Sequence, residues 1–333
     1  MGEHKIIFGD QIMENQFKEI IYYATLAPSG HNTQPWKFSI KDNSFLIYPD
    51  YSRRLKVVDP DDHALFISIG CALENLIIAA NHMGYSAKVE YFPPTEEKDC
   101  IKITINKDKV EIDPALFNTI PNRQATRSKY DGRPIPPEDL EKLKKVSHQD
   151  KVFFILFTEQ REIEPIIEFV KEGNVLQFRN KSFVNELISW IRFNKKDALT
   201  SSDGLNSASM GLPYVPTWFG RFILNNLVTP NGEANKCERL IRGSSGVALF
   251  IAESNDKQSW INVGRSFERV VLKATSLNIK HAHMNMPCEE IEIRTKFQKH
   301  LGLKDEQPLL LLRIGYSNPM PKSYRRPVEE VMV

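Results

Sequence analysis

Apolar and polar positions alternate along the chain in runs of distinct period. Residues 15–27, NQFKEIIYYATLA, place apolar side chains at helical spacing and stop ahead of Pro28, which predicts a helix. Residues 37–50, KFSIKDNSFLIYPD, read as two strands around the turn Lys41-Asp42-Asn43-Ser44. Residues 61–84 form a long, largely apolar helical run closing at Gly84, a residue suited to the C-cap. AKVEYFP (87–93) and CIKITI (100–105) alternate like strands. PPEDLEKLKKV (136–146) has prolines and acids first and lysines last, as the helix dipole favours. KVFFILFT (151–158) reads as a buried strand, SGVALFIA (245–252) as a core strand, residues 259–279 as a second long buried helix, and QPLLLLRIGYS (307–317) as a final strand.

The stretch 172–246 breaks this regularity. It is rich in Asn, Ser, Gly and aromatic residues and predicts an insertion of short helices and loops. Mobile-looking glycines and serines precede the apolar LPYVPTWFGRF (212–222), so the insertion is expected to act as a lid. The two long helices also resemble each other. Setting Gly70 on Gly264 lays Ile67 on Ile261, Glu74 on Glu268 and Ala80 on Ala274. Both follow a helix and strand and precede another strand, which predicts an internal duplication.

Composition narrows the function. The chain has 333 residues with 41% hydrophobic and 26% charged, enough for one large or two smaller cores. A net charge of +2, with bases and acids interspersed, gives no electrostatic case for nucleic acid. The four cysteines form no CxxC pair, which suits a reducing compartment. The first residues, MGEHKIIFGDQIMENQ, carry charges where a signal peptide needs an apolar core, and no apolar run reaches the roughly 18 residues of a membrane span. A cytoplasmic protein is expected, with no membrane partner.

Two clusters carry candidate chemistry. APSGHNTQPWKF (27–38) is a Pro-Ser-Gly turn followed by three hydrogen-bonding side chains. NRQATRSKY (122–130) spaces Arg123 and Arg127 four apart, so one helical turn or a curled loop can aim two guanidinium forks at a single anion such as phosphate; the alternative is two solvated arginines. The tail PKSYRRPVEE adds Lys322, Arg325 and Arg326. His281, His283 and Cys288 offer metal ligands without a fourth, so no metal site is expected. Asp59, Asp61 and Asp62 read as charge at a helix N-terminus, Trp36 as core packing, and His31 as either a turn residue or a ligand contact.

The turn resembles the flavin-binding turn of the nitroreductase family, Ala-Pro-Ser-x-x-Asn-x-Gln-Pro-Trp, nearly throughout. Arg123-Gln124-Ala125-Thr126-Arg127 resembles that family's Arg-x-Ser-x-Arg motif, with Ala125 where the family has a small hydroxyl residue. Lys322 with Arg325 or Arg326 is similar to its basic tail, and MNMPCEE (284–290) stands where its loop turns a backbone amide toward the flavin. The order differs from an ordinary nitroreductase, where both motifs occur in one short chain and two chains share two sites. Here each half retains what the other lost, as in the twin-domain, Acg-type branch.

The resemblance implies an α+β fold of two pseudo-symmetric halves fused in one chain, with mainly antiparallel sheets packed by helices. It implies a first half at 1–118 and a second at 119–333 containing the insertion. It implies one FMN per chain, held by Pro28, Ser29, Asn32, Gln34, Arg123, Ala125, Arg127, Met286, Pro287, Lys322 and Arg325. No catalytic side chain is implied, since the chemistry belongs to the flavin. The implied activity is hydride transfer from NAD(P)H through FMN to a small acceptor, by a monomer. The alternative is a non-catalytic protein that stores FMN under a lid.

Overall fold

The computed structural model describes residues 3–108, 110, 113–147 and 149–333, with side chains from residue 14 onward. Met1 and Gly2 of the charged N-terminal stretch, and His148 ahead of the KVFFILFT strand, lie outside the described residues.

The first half runs α1 (Glu3–Thr25), β1 (Trp36–Lys41), β2 (Ser44–Pro49), α2 (His63–His82), β3 (Tyr85–Tyr91) and β4 (Ile101–Lys107). The β1–β2 hairpin turns at Asp42, whose φ of 55° suits a short polar side chain. Gly84, at φ 84°, lets the chain leave α2 and reverse into β3. After α3 (Pro114–Thr119) the second half runs α4 (Pro137–Val146) and β5 (Val152–Phe157). The excursion that follows contains α5 (Gln160–Arg179), α6 (Lys181–Trp190), β6 (Ile191–Arg192), α7 (Lys195–Ser201), β7 (Leu205–Asn206), α8 (Thr217–Asn226) and α9 (Pro230–Arg242). The half then resumes with β8 (Gly246–Ala252), α10 (Lys257–Ser276), β9 (Lys280–His283), α11 (Met286–Glu289), α12 (Ile291–His300), β10 (Gln307–Gly315) and the short α13 (Val328–Val331).

The two halves share one plan. The first sheet has the order β1-β2-β4-β3 and the second β5-β8-β10-β9, with every described pairing antiparallel. Strand by strand in chain order, these are the same topology, with α2 and α10 in the same place. The excursion occupies the position of the two-residue turn between β1 and β2. It therefore starts right after β5, and residue 172 lies within the continuous helix α5. That helix is structural: Ile163, Ile167 and Val170 cover the face of the second sheet formed by Leu249, Ile251 and Leu311. α10 covers the opposite face through Phe250 and Leu312, so β8 is buried at every position.

The helices α2 and α10 cross at Gly70 and Gly264. A β-carbon on Gly70 would run into the carbonyl of Ile261, and one on Gly264 into the carbonyl of Ile67. These are the residue pairs that the sequence overlay equates, so the contact is self-complementary like that of a two-fold dimer. The core extends across it from Phe66 and Leu73 to Val263, Phe267 and Val271.

Two expectations change. β5 is not a buried strand: it forms the edge of its sheet, and Phe153 is 48% exposed. One apolar run does reach the length of a membrane span: α2, with a mean hydropathy of 1.7 over its 18-residue window, which is 94% buried. It is largely apolar all round because α10, α1, α3 and the first sheet pack against it.

Candidate functional site

The turn after α1 is built by backbone reversals. The Ser29 hydroxyl accepts from the Gln34 amide at 2.9 Å, and the Asn32 amide donates to the Ser29 carbonyl at 3.0 Å. His31, Asn32 and Gln34 all lie at positive φ, between 47° and 56°. Such a conformation costs free energy at each non-glycine residue and persists only where the surroundings enforce it. Three bonds from the excursion do so. Gly204 exchanges hydrogen bonds with Asn32, its amide to the carbonyl and its carbonyl from Nδ2, both at 3.1 Å. Gln34 Nε2 donates to the Ser202 carbonyl at 2.9 Å. Asp203 between them pairs with Arg53 and with Arg192, the latter at 2.6 Å. The C-terminal tail docks on the same turn. Arg325 Nη1 donates to Asn32 Oδ1 at 2.9 Å, and the Arg326 amide to Gln34 Oε1 at 2.8 Å. Beyond it the Val333 amide donates to the Phe38 carbonyl at the edge of β1.

The arginine segment reaches the turn from the other half. The Thr126 amide donates to the His281 carbonyl at 2.8 Å, tying the segment to β9. Arg123 and Arg325 both donate to the carbonyl of Leu26, at 3.1 and 3.3 Å. Lys322 Nζ donates to the Pro121 carbonyl at 2.6 Å.

Between these elements lies a cleft with two adjoining lobes. The larger, about 200 Å³, is walled by apolar Leu55, Ile67, Cys71, Phe267 and Leu310. Its polar lining comes from Ser29, His31, Asp59, Ser68, Arg127, His283, Asn285 and Glu289. The smaller, about 110 Å³, is lined by Arg123, Arg127, Lys322 and Arg325, and by no carboxylate among its described lining residues. Pro28, Ser29, Arg127, Leu205 and His283 form the wall common to both.

The electrostatics of the small lobe are unbalanced. Arg127 is hydrogen-bonded only weakly, to the Ser209 carbonyl at 3.4 Å. Arg325 Nε and Arg123 Nε are buried without a hydrogen-bond partner. Burial, and for Arg325 the neighbouring Arg123, disfavours the charge on Arg127 and Arg325. A guanidinium does not deprotonate in response, so the cluster stays cationic. Glu268 lies behind it, fully buried, 3.4 Å from Arg123. Burial pushes its carboxyl up to about 7 against the pull of Arg123. Three guanidinium groups and a lysine against one half-ionised acid call for an anion. His31 and His283 are held neutral: burial, then the charge of Arg127, pushes His31 down to about 4 and His283 to about 3.

Of the residues named from sequence, Pro28, Ser29, Asn32, Arg123, Ala125, Arg127, Lys322 and Arg325 line the cleft. Gln34 does not: it is fully buried, and its amide is occupied by Ser202 and Arg326. Met286 and Pro287 do not either. Met286 packs over Gly173 of α5, and Asn285 and Glu289 on either side reach the cleft instead. Asn32 lines the small lobe, but its side chain already braces the tail and the excursion. The sequence reading missed Leu205, Ser68, Phe267, Asn285, Glu289 and Glu268. Asn285 and Glu289 fall within the stretch 284–290 and Leu205 within the insertion, both singled out as segments but not residue by residue, and the overlay of the two long helices aligned Glu268 with Glu74. The expected cover also moves. Trp218 is 71% exposed and Phe222 50%, so these aromatic side chains face outward, and it is Leu205 of the excursion that lines both lobes of the cleft.

Asp59, Asp61 and His63 bring possible metal-ligand atoms within 4.8 Å of one another. Asp59 accepts from the Ala64 and Leu65 amides at 2.9 Å, as a helix cap, and Asp61 pairs with Arg294 at 3.0 Å. Burial opposes a charge on His63, but its hydrogen bonds to the two carboxylates outweigh it and push its pKa up to about 9. A protonated imidazole here takes the place of a cation.

No family profile matches the chain. It is similar to the Mycobacterium tuberculosis protein named as NAD(P)H nitroreductase Rv3131, with 23% identity over 95% of this chain and 90% of that one. It is also similar to the same organism's NAD(P)H nitroreductase acg, with 23% identity over 94% of each. Among solved structures it resembles the FMN-dependent nitroreductase NfnB of Mycobacterium smegmatis in complex with NADPH. That match has a TM-score of 0.39 and 12% identity, and covers 62% of this chain and 88% of that one. Both matches run nearly the whole length of the chain, and they agree with the resemblance to Acg-type nitroreductases that the motifs carry.

Proposed function

We propose that the cleft holds one FMN per chain and that the protein is an NAD(P)H-dependent oxidoreductase acting on a small electron acceptor. The observation that carries this reading is a cationic lobe without acids opening directly into a larger apolar lobe. A phosphate monoester joined to a planar ring system has that same polarity. When bound, FMN would supply the redox chemistry, taking a hydride from the nicotinamide and passing it on.

The chain's own residues bind and orient. Arg123, Arg127, Arg325 and Lys322 surround the anion, each charge-assisted hydrogen bond contributing about 1.5–3 kcal/mol. Ser29, Ser68 and Asn285 offer neutral hydrogen-bonding atoms where a ring edge would lie. Ile67, Cys71, Phe267 and Leu310 exclude water. Neutral His31 and His283 line the ring lobe without adding charge. Similarity to the two mycobacterial proteins supports the same reading. With both half-motifs in one chain, the active unit is proposed to be a monomer.

A second reading, sequestration of FMN without turnover, rests on one observation: residues 202–206 are bonded at three points to the turn and lay Leu205 over the cleft. One experiment separates the two. The FMN-loaded protein is mixed anaerobically with NADPH or NADH, and the flavin absorbance near 450 nm is followed (roughly its usual band for a bound flavin cofactor). Rapid bleaching, reversed by a quinone or nitroaromatic, is expected of the oxidoreductase. A flavin that stays oxidised with either nucleotide sinks the enzyme reading and leaves sequestration.

A further inference from the structure

A second cavity lies away from the cleft, inside the excursion. It holds about 300 Å³, more than either lobe of the cleft. Phe178, Ile191, Phe193, Met210, Val215 and Leu224 supply its walls. Its few polar groups are already matched. The Ser207 hydroxyl donates to the carbonyl of Arg192 at 3.3 Å, and Lys236 pairs with Glu233 at 3.1 Å. Among the described residues none of the lining side chains has a buried polar atom without a hydrogen-bond partner, the reverse of the arginine-lined lobe. The frame is fixed rather than collapsible. The Val215 amide donates to the Phe193 carbonyl at 3.0 Å, and the Leu212 amide to the Ser207 carbonyl at 2.9 Å. Gly220 brings α8 so close to the Phe193 ring that any β-carbon would clash. Leu212, Pro213 and Lys236 line the cavity and are exposed, so they form its rim.

We propose that this cavity is a binding site for a neutral, apolar small molecule of about two fused rings, distinct from the cleft and linked to it through Leu205. A cavity of about 150 Å³ with apolar walls takes up benzene, so twice that volume suits a bicyclic hydrocarbon skeleton. Small-molecule sites begin at about this size. The link is structural. Leu205 packs in the same apolar cluster as Ile191, Phe193, Met210, Val215 and Leu224, and its other side lines both lobes of the cleft. Four residues on, the Ser209 carbonyl accepts from Arg127. An occupant that pushes on this cluster therefore pushes on the cover of the cleft.

The probe is N-phenyl-1-naphthylamine, neutral and strongly fluorescent only in apolar surroundings. It is titrated into the protein as purified and after loading with FMN. One saturable site is expected in both, with FMN failing to displace the probe. Leu224→Trp should fill the cavity, and Leu212→Arg, at a half-exposed position that tolerates charge, should block its mouth. Each is expected to weaken the probe at least tenfold, with FMN affinity retained in Leu212→Arg. In the wild type the probe should change the FMN dissociation rate at least threefold, and in Leu212→Arg it should not. Absence of saturable binding, unchanged binding by Leu212→Arg, or stoichiometric displacement by FMN would overturn the site. An FMN dissociation rate indifferent to the probe would overturn the link through Leu205.

Discussion

Arg127 shows what one side chain can decide. Its guanidinium faces both lobes, has no carboxylate partner among the described residues, and makes one long hydrogen bond. A phosphate would give it the partner it lacks. Arg127→Ala is therefore expected to weaken FMN by roughly 10- to 100-fold, about 1.5–3 kcal/mol, while riboflavin, which has no phosphate, changes little. Parallel calorimetric titrations of the two flavins check this, and equal losses for both would remove Arg127 from the phosphate. Glu268 gives a pH signature. Its folded value of about 7 stands above the ordinary 4.5, so between those values the folded state binds more protons than the unfolded one. The stability this provides is complete below about pH 4.5 and is lost as pH rises through about 7. Glu268→Gln keeps a neutral side chain at all pH. It should match the wild type near pH 4.5 and exceed it in melting temperature at pH 8. A difference that is constant with pH would contradict the buried carboxyl. The spacing of Arg123 and Arg127 alone suits two solvated side chains equally well; it was the resemblance of their segment to a family motif that pointed to the lobe they line. The place of Gln34 was not legible, because three left-handed residues turn its amide away from the cleft toward Ser202 and Arg326.

At the scale of elements, periodicity located the hairpin and the elements with one buried face, and the length of the apolar run located α2 and β8, which are buried nearly throughout. It misjudged β5, whose apolar composition cannot say which strand ends at the sheet edge. It also placed the start of the excursion inside α5, because an amphipathic helix that covers a sheet has the same pattern wherever the sheet comes from. The cover was assigned to the most aromatic stretch, yet hydrogen bonds and ion pairs hold down residues 202–206 instead. Asp203 is the clasp, nearly buried between Arg53 and Arg192. Asp203→Ala leaves two arginines unpaired and should loosen the segment. FMN release from this variant, followed by stopped-flow fluorescence, is expected to be several-fold faster than from the wild type. An unchanged rate would show that the segment does not gate the cleft.

For the whole molecule, the organising fact is two halves of the same topology that meet at Gly70 and Gly264. The cleft lies along that seam, lined by Ile67 and Cys71 from one long helix and Phe267 from the other. The turn comes from the first half, the arginines from the second, and the tail returns across both. The overlay of the two helices made this arrangement readable from sequence. It could not show that the tail ends at β1, since that pairing involves residues nearly 300 apart. The central claim is that one chain makes one complete flavin site. Native mass spectrometry of the protein reconstituted with excess FMN tests it most directly. The account predicts a monomer carrying a single FMN. Two FMN per monomer, none, or flavin found on dimers and absent from monomers would contradict it.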